Sequence, residues 1–298
     1  MKRLILLFIT IISFQVQAKQ YLQVGDEYSK ISYKNLYQIQ ENPYIDKQIE
    51  NTVLINVGSG DRMNRGTGFY IGKHNNRHIF ITNAHVMGAN KCRSAKITFI
   101  NKNFGRSSAD CDSILFSMYK NEESDITVFT ISGPDLENFI GEGLEIEWDE
   151  STIARTSLSQ AGFGLKRVTK RDKLTDFKMN LNIDSDCVVS SADNKLYNLE
   201  NFSITNTFFT GCDAAGGDSG SSLISKTTGK VVGLLWGTAN YRGYINSSTY
   251  WNELIGTDDV RLYQYSSFAI LLKNLRSEFA KIGVATYSQS PQTDVENN

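Results

Sequence analysis

The sequence predicts an all-β protein, either a barrel or a sandwich. From residue 53 onwards, short apolar runs alternate with segments rich in Gly, Asn, Asp and Ser. Such runs are typical of strands that are joined by tight turns. The predicted strands are 53–57, 68–71, 78–82, 96–100, 125–131, 156–158, 177–181, 188–190, 206–209, 221–224 and 230–236. Many short strands at roughly regular spacing favour a barrel or a sandwich over an α/β fold.

One helix is predicted to close the domain, over residues 267–282. Its apolar residues recur at helical spacing, and its charged residues fall mostly on the other side. The apolar residues are Phe268, Ile270, Leu271, Leu272, Leu275, Phe279 and Ile282. We expect this helix to pack on the barrel and to carry no chemistry. The polar residues 286–298 are predicted to be disordered.

The first 18 residues have the pattern of a secretory signal peptide. A basic start, Met1-Lys2-Arg3, precedes an apolar run that ends at Phe14, and small residues precede a cut after Ala18. The alternative, a membrane anchor, is disfavoured because a span needs about 20 apolar residues. The protein is therefore predicted to be secreted or periplasmic, without a membrane anchor. The polar segment 19–50 is read as a propeptide or an N-terminal arm.

Composition and charge narrow the choice of partners. Of the 298 residues, 40% are hydrophobic and 21% are charged, which is ordinary for a globular protein. The formal net charge is −1. No overall electrostatic field therefore favours binding to nucleic acid or to an anionic membrane.

The four cysteines predict two disulfides, because an even number is usual in an exported protein. Three pairings are possible for four cysteines. We favour Cys92–Cys111 and Cys187–Cys212, since each pair closes a modest loop. A zinc site is disfavoured, because no C-x-x-C occurs and the three histidines are not spaced as ligands with the cysteines.

A serine in a glycine-rich segment, Ser219 in Gly216-Gly217-Asp218-Ser219-Gly220, is a candidate nucleophile. A serine hydroxyl needs an adjacent base, which is usually a histidine. Two of the three histidines, His74 and His78, flank a predicted hairpin turn and are expected to be solvent-exposed. The third, His85, follows an apolar strand and is the candidate base.

A carboxylate and two backbone donors complete the constellation. Asp125 stands at the start of an alternating apolar strand, where it can hold the tautomer of His85 and stabilise the imidazolium. The glycine at Gly217 lets its own N–H and that of Ser219 point at one spot, as an oxyanion hole requires. The order along the chain is His85, Asp125, Ser219.

At these motifs the sequence resembles the chymotrypsin/trypsin-like serine peptidases, especially their secreted bacterial branch. Gly217-Asp218-Ser219-Gly220 is identical to the G-D-S-G core of the family. The segments similar to its other motifs are Gly66-Thr67-Gly68-Phe69, Thr82-Asn83-Ala84-His85, Ser124-Asp125-Ile126-Thr127-Val128, Ala161-Gly162-Phe163-Gly164 and Leu235-Trp236-Gly237. They occur in the order and at the spacing of the family.

The resemblance implies two six-stranded antiparallel β-barrels, over about 50–145 and 152–265, within a peptidase domain of residues 31–285. It implies peptide-bond hydrolysis through an acyl-enzyme, with Ser219 as nucleophile and no metal or organic cofactor. Protein or peptide substrates and a monomeric state are expected.

Specificity also follows from the resemblance. Asp213 corresponds to the base of the S1 pocket, which Trp236 and Gly237 line, and an aspartate there suits Lys or Arg at P1. The glutamate-specific branch has a histidine where this chain has Leu235, which argues against acidic P1 residues. Leu235 also replaces a family serine that bonds the triad aspartate.

Activation is a further implication, because the family pairs the aspartate before the serine with a new N-terminal ammonium. Asp218 would then meet Ile31 after cleavage at Lys30–Ile31, and residues 19–30 would be a propeptide. Two alternatives stay open: Asp218 pairs with an internal Lys or Arg, or the cut lies elsewhere before Val53.

Two other functions compete with a secreted serine endopeptidase. The first is a catalytically silent homologue that uses the same fold for binding. The second is a carbohydrate- or protein-binding β-domain in which the serine loop is a coincidence.

Overall fold

The computed structural model describes residues 31–32, 43–59, 63–100, 106–120, 124–132, 141–149, 154–164, 181–191, 197–199, 202–204, 206–212, 214–238 and 266–284. The predicted signal peptide, the segment 19–30, most of the predicted strand 177–181, Asp213 and the tail 286–298 lie outside the described residues.

Strands dominate the described chain. The strands are β1 (Ile31–Ser32), β2 (Thr52–Val57), β3 (Asn64–His74), β4 (Arg77–Thr82), β5 (Ala95–Ile100), β6 (Arg106–Lys120), β7 (Ser124–Ser132), β8 (Ser157–Gly162), β9 (Asn182–Ser191), β10 (Tyr197–Leu199), β11 (Phe202–Ile204), β12 (Thr207–Thr210), β13 (Ser222–Ser225), β14 (Val231–Thr238) and β15 (Ser267–Leu271). The helices are α1 (Pro43–Glu50) and α2 (Arg276–Lys281), with 3-10 turns at Cys92–Ser94 and Leu272–Leu275.

The first barrel closes in the order β2-β3-β4-β7-β6-β5. Its interior is aromatic: the ring of Phe80 lies 4.9 Å from Tyr70, 5.9 Å from Phe99 and 5.6 Å from Phe129, centre to centre. Closure leaves none of these six strands with a free edge along the ring, which is how barrels avoid unpaired backbone groups.

The second barrel consists of β8, β9, β12, β15, β14 and β13, and the pairing of β8 with β9 closes the ring. Strand β1 adds to β9 outside this ring, with Ile31 opposite Ile183. The interior holds Leu158, Phe208 and Leu235 together with the sulfurs of two cysteines. The predicted pair of six-stranded antiparallel barrels is confirmed.

Both disulfides join the cysteines that were favoured from the sequence. Cys92 pairs with Cys111 across 19 residues, and Cys187 pairs with Cys212 across 25 residues. The first tethers a 3-10 turn to β6, and the second ties β9 to Cys212, two residues beyond the end of β12. Closing loops of this length removes entropy from the unfolded chain, worth about 3 kcal/mol each in the chain-entropy model.

The closing helix was predicted to start too early. Ser267–Leu271 is a strand, β15, which pairs with β12 on one side and β14 on the other. Helical structure begins with the 3-10 turn at Leu272, and α2 starts at Arg276. All five residues of β15 are buried. A short apolar run that is buried on both faces has no alternation to distinguish a strand from a helix.

The hairpin predicted between β3 and β4 is present, but its two histidines are less exposed than expected. Asn75 and Asn76 form the turn with φ of 50° and 61°, values that asparagine tolerates better than most residues. His74 and His78 are both half-buried. The ring of His78 is covered because its Nδ1 lies 2.9 Å from the hydroxyl of Tyr70.

Helix α1 was missed, because the polar segment before residue 50 shows a weak pattern. Its apolar side chains, Ile45 and Ile49, pack with Phe163 and Ile183 of the second barrel. The helix leads directly into β2 of the first barrel. Helix α1 is therefore part of the folded domain and connects the two barrels.

Gln48 is the polar link between α1 and the second barrel, and it is fully buried. Its Nε2 donates to the carbonyls of Ser159 (3.1 Å) and Ser222 (3.0 Å), and its Oε1 accepts from the hydroxyl of Ser159 (2.7 Å). A buried amide is tolerated when its donors and acceptor are satisfied in this way.

Strand β6 was also missed. Its first half, Arg-Ser-Ser-Ala-Asp-Cys-Asp-Ser, is mostly polar, and its outer residues face solvent. The strand is nevertheless held along its length by β5 and β7. Pairing with neighbours outweighs the weak local preference, as is common for strands.

Among the described residues, no helix is long and apolar enough to cross a membrane.

Candidate active site

His85 and Asp125 meet because their strands are neighbours. β4 pairs with β7, with Thr82 opposite Thr127, so the residues just beyond the end of β4 lie beside the start of β7. The Nδ1 of His85 contacts Oδ2 of Asp125, and the backbone N–H of His85 donates to Oδ1 at 2.8 Å. Asp125 is only 3% exposed, whereas the imidazole of His85 is 34% exposed. The carboxylate thus holds the ring, about a third of which stays exposed.

Two asparagines that the sequence analysis did not single out support this pair. The amide of Asn83 donates to the carbonyl of Asp125 at 2.7 Å. The amide of Asn64, at the start of β3, donates to the carbonyls of His85 (3.0 Å) and Val86 (3.1 Å). Asn83 lies inside the histidine motif and was therefore within reach of the sequence, whereas nothing in the pattern marks Asn64.

The segment around Ser219 is a tight loop between Cys212 and β13. Gly217 and Gly220 have φ of 99° and 92°, which L side chains rarely adopt. The N–H of Asp218 donates to the carbonyl of Ala215 (3.0 Å), and that of Ser221 donates to the carbonyl of Asp218 (2.9 Å). The loop therefore has a defined hydrogen-bonded shape, unlike a flexible linker.

The hydroxyl of Ser219 donates to the carbonyl of Trp236 at 3.4 Å, rather than to the imidazole of His85. Catalytic hydrogen bonds are often long or misaligned before substrate binds, so this rotamer does not exclude a nucleophilic role. Ser219 is half-buried, and its side chain lies beside β14.

The N–H groups of Gly217 and Ser219 are the two backbone donors of interest in the loop. Within the part of the chain that the structure describes, neither of them donates a hydrogen bond. These are the two groups predicted from the sequence to form the oxyanion hole.

The carboxylate of Asp218 is completely buried below this loop. It accepts from the N–H of Gly164 at 2.8 Å and from the N–H of Ala215 at 2.8 Å. A Cβ on Gly164 would lie 1.9 Å from the carboxylate, and one on Gly162 would lie 2.5 Å from it. The two glycines at the end of β8 thus make room for this side chain.

The loop is joined to the first barrel at β3. The N–H of Thr67 donates to the carbonyl of Ser219 at 2.8 Å. A Cβ on Gly66 would lie 2.6 Å from the methyl groups of Val86 and 3.1 Å from the carbonyl of Ser219. There is therefore no room for a side chain at position 66 between Val86, which follows His85, and the backbone of Ser219. The two halves of the site come together at this glycine.

The predicted S1 residues are described only in part. Trp236 and Gly237 lie on β14, and the indole of Trp236 meets the ring of Phe268 edge-on, 4.8 Å between centres. Asp213 lies outside the described residues. The side chain of Leu235 is fully buried in the core of the second barrel, so it forms no part of the support of Asp125.

Ile31, the predicted new N-terminus, lies in the first strand of the described chain. In β1 it is opposite Ile183 of β9. The neighbour of Ile31, Ser32, is opposite Asn182, whose amide donates to the carbonyl of Gly164 at 3.0 Å. The first strand therefore borders the segment that holds Asp218.

One group of candidate metal ligands, Asp184, Cys187 and Cys212, has its ligand atoms within 4.8 Å of one another. The two sulfurs are joined in a disulfide. Zinc sites use cysteine as thiolate, so this group does not offer such ligands.

The close approach of Gly164 to Asp218 predicts different outcomes at two glycines of the site. Gly164→Ala places a methyl group on the buried carboxylate and is expected to lower the free energy of unfolding by about 1–3 kcal/mol or more. Gly216→Ala is the matched control, because a Cβ there meets nothing within 4 Å. It is expected to stay within about 0.5 kcal/mol of the wild type. Urea unfolding measures both, and equal stability of the two variants would contradict the packing described here.

Solved structures of proteases share this fold. The active form of the Rv3671c protease from M. tuberculosis is 17% identical with a TM-score of 0.51, over 83% of this chain and 86% of that one. The scabies mite inactivated protease paralogue S-I1 is 14% identical with a TM-score of 0.53, over 80% of this chain and 95% of that one. A serine endoprotease from Yersinia pestis is 14% identical with a TM-score of 0.50, over 82% and 68%.

Sequence comparison identifies the family. No curated protein sequence is significantly similar to this chain. The model of the Trypsin family, however, matches residues 43–253, which is well over half of the chain and includes His85, Asp125 and Ser219. The match begins at the first residue of α1. The chain is a member of the trypsin family of serine proteases.

Proposed function

We propose that this protein is a serine endopeptidase that uses Ser219, His85 and Asp125. The observation that carries the proposal is the pairing of His85 with the buried carboxylate of Asp125, close to the loop of Ser219. An imidazole held at Nδ1 keeps its Nε2 as the proton acceptor, which a serine nucleophile requires.

The reaction would proceed in two halves. Ser219 Oγ attacks the peptide carbonyl while His85 Nε2 takes its proton, and the charge on the carbonyl oxygen is stabilised by the N–H groups of Gly217 and Ser219. His85 then gives the proton to the leaving amine, and an acyl-enzyme remains on Ser219. Water, deprotonated by His85, hydrolyses this ester and restores the enzyme.

Asp125 would act by holding the ring and stabilising the imidazolium that forms in each half. Its two oxygens are both occupied by His85, one at the ring and one at the backbone N–H. The amide of Asn83 fixes the backbone of Asp125 from the other side. The carboxylate is thus preorganised before the charge develops.

A catalytically silent homologue is the second candidate. The observation that favours it is the bond from Ser219 Oγ to the carbonyl of Trp236, which leaves the hydroxyl turned from His85. Rotation about χ1 moves a serine hydroxyl between staggered positions, so this bond is not a fixed property of the side chain. Whether the serine is reactive therefore separates the two candidates.

Covalent labelling tests the proposal. The mature protein is treated with a fluorophosphonate probe, which reacts with an activated serine. Labelling is expected in the wild type and absent in Ser219→Ala. His85→Ala is expected to slow labelling by about 10⁴-fold or more, because the base is lost.

Two matched controls keep this result specific. Ser221→Ala removes a serine of the same loop, and His78→Ala removes a histidine that bonds Tyr70 on the hairpin. Both variants are expected to label as the wild type does. A folded, processed wild type that does not label would contradict the peptidase and favour the silent homologue.

We propose that the enzyme prefers Lys or Arg at P1, with Asp213 at the base of the pocket. The support is the position of Asp213 six residues before Ser219 and the family membership of the chain. A peptide library is expected to show a preference for Lys and Arg over Leu on the order of 10²-fold. Asp213→Ser is expected to abolish it, because removing one partner of a buried charge pair costs roughly 2–5 kcal/mol, much of it from the charge that is left unpaired. An unchanged profile in this variant would refute the assignment.

We also propose export through residues 1–18 and activation by cleavage at Lys30–Ile31. Support comes from the position of β1, which borders the segment that bonds Asp218. Helix α1 lies beyond the cut and stays with the domain.

Sequencing of the protein N-terminus tests this activation. Ser219→Ala precursor, starting at Lys19, is incubated with a trace of active enzyme and is expected to acquire an N-terminus at Ile31. The same precursor that also carries Lys30→Gln is expected to remain uncut. A fully active enzyme that retains Lys19 would exclude activation by this route.

A further inference from the structure

Thr67 is a buried residue of β3 in the first barrel, and its hydroxyl reaches the second barrel. The side chain donates from Oγ1 to the carbonyl of Gly217 at 2.8 Å. The same oxygen accepts from the N–H of Phe163 at 2.9 Å. Thr67 is 0% exposed, and its bond from Phe163 is fully buried, whereas its bond to the half-buried Gly217 is partly buried.

The bond to Gly217 matters because this glycine has wide conformational freedom. With φ of 99°, Gly217 occupies a region where only glycine is at ease, and glycine also visits many other conformations. Among the described residues, a Cβ on the preceding Gly216 would meet nothing within 4 Å, so none of them packs against that side of the loop. A fixed carbonyl on Gly217 therefore restricts how this part of the loop can rotate.

Thr67 also holds the next part of the loop. Its backbone N–H donates to the carbonyl of Ser219 at 2.8 Å, two residues beyond Gly217. One residue of the first barrel thus bonds the carbonyls on both sides of Asp218. The two carbonyls belong to the peptide planes 217–218 and 219–220, which flank the plane that carries the N–H of Ser219. The first of them also adjoins the plane that carries the N–H of Gly217, so the two bonds limit the rotation of both N–H groups.

The geometry points to Thr67 as a positioning residue that orients the oxyanion loop from the neighbouring barrel. The side-chain hydroxyl is the part that does this, since it alone reaches the carbonyl of Gly217. Thr67 contacts no reacting atom and acts through the backbone of Gly217. This inference rests on the proposed peptidase activity.

Three variants test the inference. Thr67→Val keeps the shape of the side chain and removes the hydroxyl, Thr67→Ser keeps the hydroxyl, and Thr52→Val is the matched control. The hydroxyl of Thr52, also buried, donates to the carbonyl of Gln48 in α1 at 2.7 Å and does not reach the loop.

The readouts are kcat and KM for a peptide p-nitroanilide, together with the Ki of a peptide boronate, which mimics the tetrahedral intermediate. Thr67→Val is expected to lower kcat by roughly 10–100-fold, less than the 10²–10³-fold loss on deleting an oxyanion donor. Its KM is expected to stay within about threefold, and its boronate Ki to rise by about as much as kcat falls. Thr67→Ser is expected to keep kcat within about threefold, and Thr52→Val to lower stability while leaving kcat unchanged.

The outcomes distinguish a failure of the inference from a failure of the proposed function. A wild type that cleaves no p-nitroanilide overturns both. An active wild type with equal kcat in Thr67→Val overturns the positioning role alone, and so does an equal loss in Thr67→Val and Thr67→Ser, which would indicate packing. If Thr67→Val does not fold, Thr67→Ala is measured in its place, with the same expected loss of kcat and the same contrary outcomes.

Discussion

The loop that carries Ser219 takes its shape from one buried carboxylate. Asp218 has no exposed surface, and its carboxylate accepts hydrogen bonds from the backbone N–H groups of Gly164 and Ala215. A carboxylate taken out of water is costly unless donors replace the lost hydration, and bonds to backbone N–H groups serve this purpose. The loop is rich in glycine and would otherwise have many conformations, so the direction of Ser219 depends on this contact.

The site is divided between two barrels, and buried polar contacts fix the position of one half relative to the other. His85 and Asp125 belong to the first barrel, whereas Ser219 belongs to the second. Gln48 and Thr67 each place a satisfied polar side chain across the boundary. Such bonds depend on direction more than apolar contacts do, so they specify one arrangement of the barrels and not merely their association.

Local pattern was sufficient for much of this architecture. The positions of His85, Asp125 and Ser219 were selected from their flanking residues, and the structure brings the first two into contact. The β3–β4 hairpin was also visible, because two asparagines suit a turn with positive φ. What the pattern missed depends on distant partners. β15 is a strand because β12 and β14 flank it, and α1 is a helix that is stabilised by burial of Ile45 and Ile49 against the second barrel.

The sequence by itself determined the fold class, the local motifs and the residue types able to perform acyl transfer, because these depend on periodicity and on chemistry within a few positions. Tertiary structure decided which groups meet. The bonds from Thr67 to Gly217 and from Gly164 to Asp218 span 150 and 54 residues. The contact of the Ser219 hydroxyl and the support that Asn64 gives to His85 span 17 and 21 residues. The bond of Thr67 forms only when the two barrels are docked, and the others form only when each barrel has closed, so no local pattern records them.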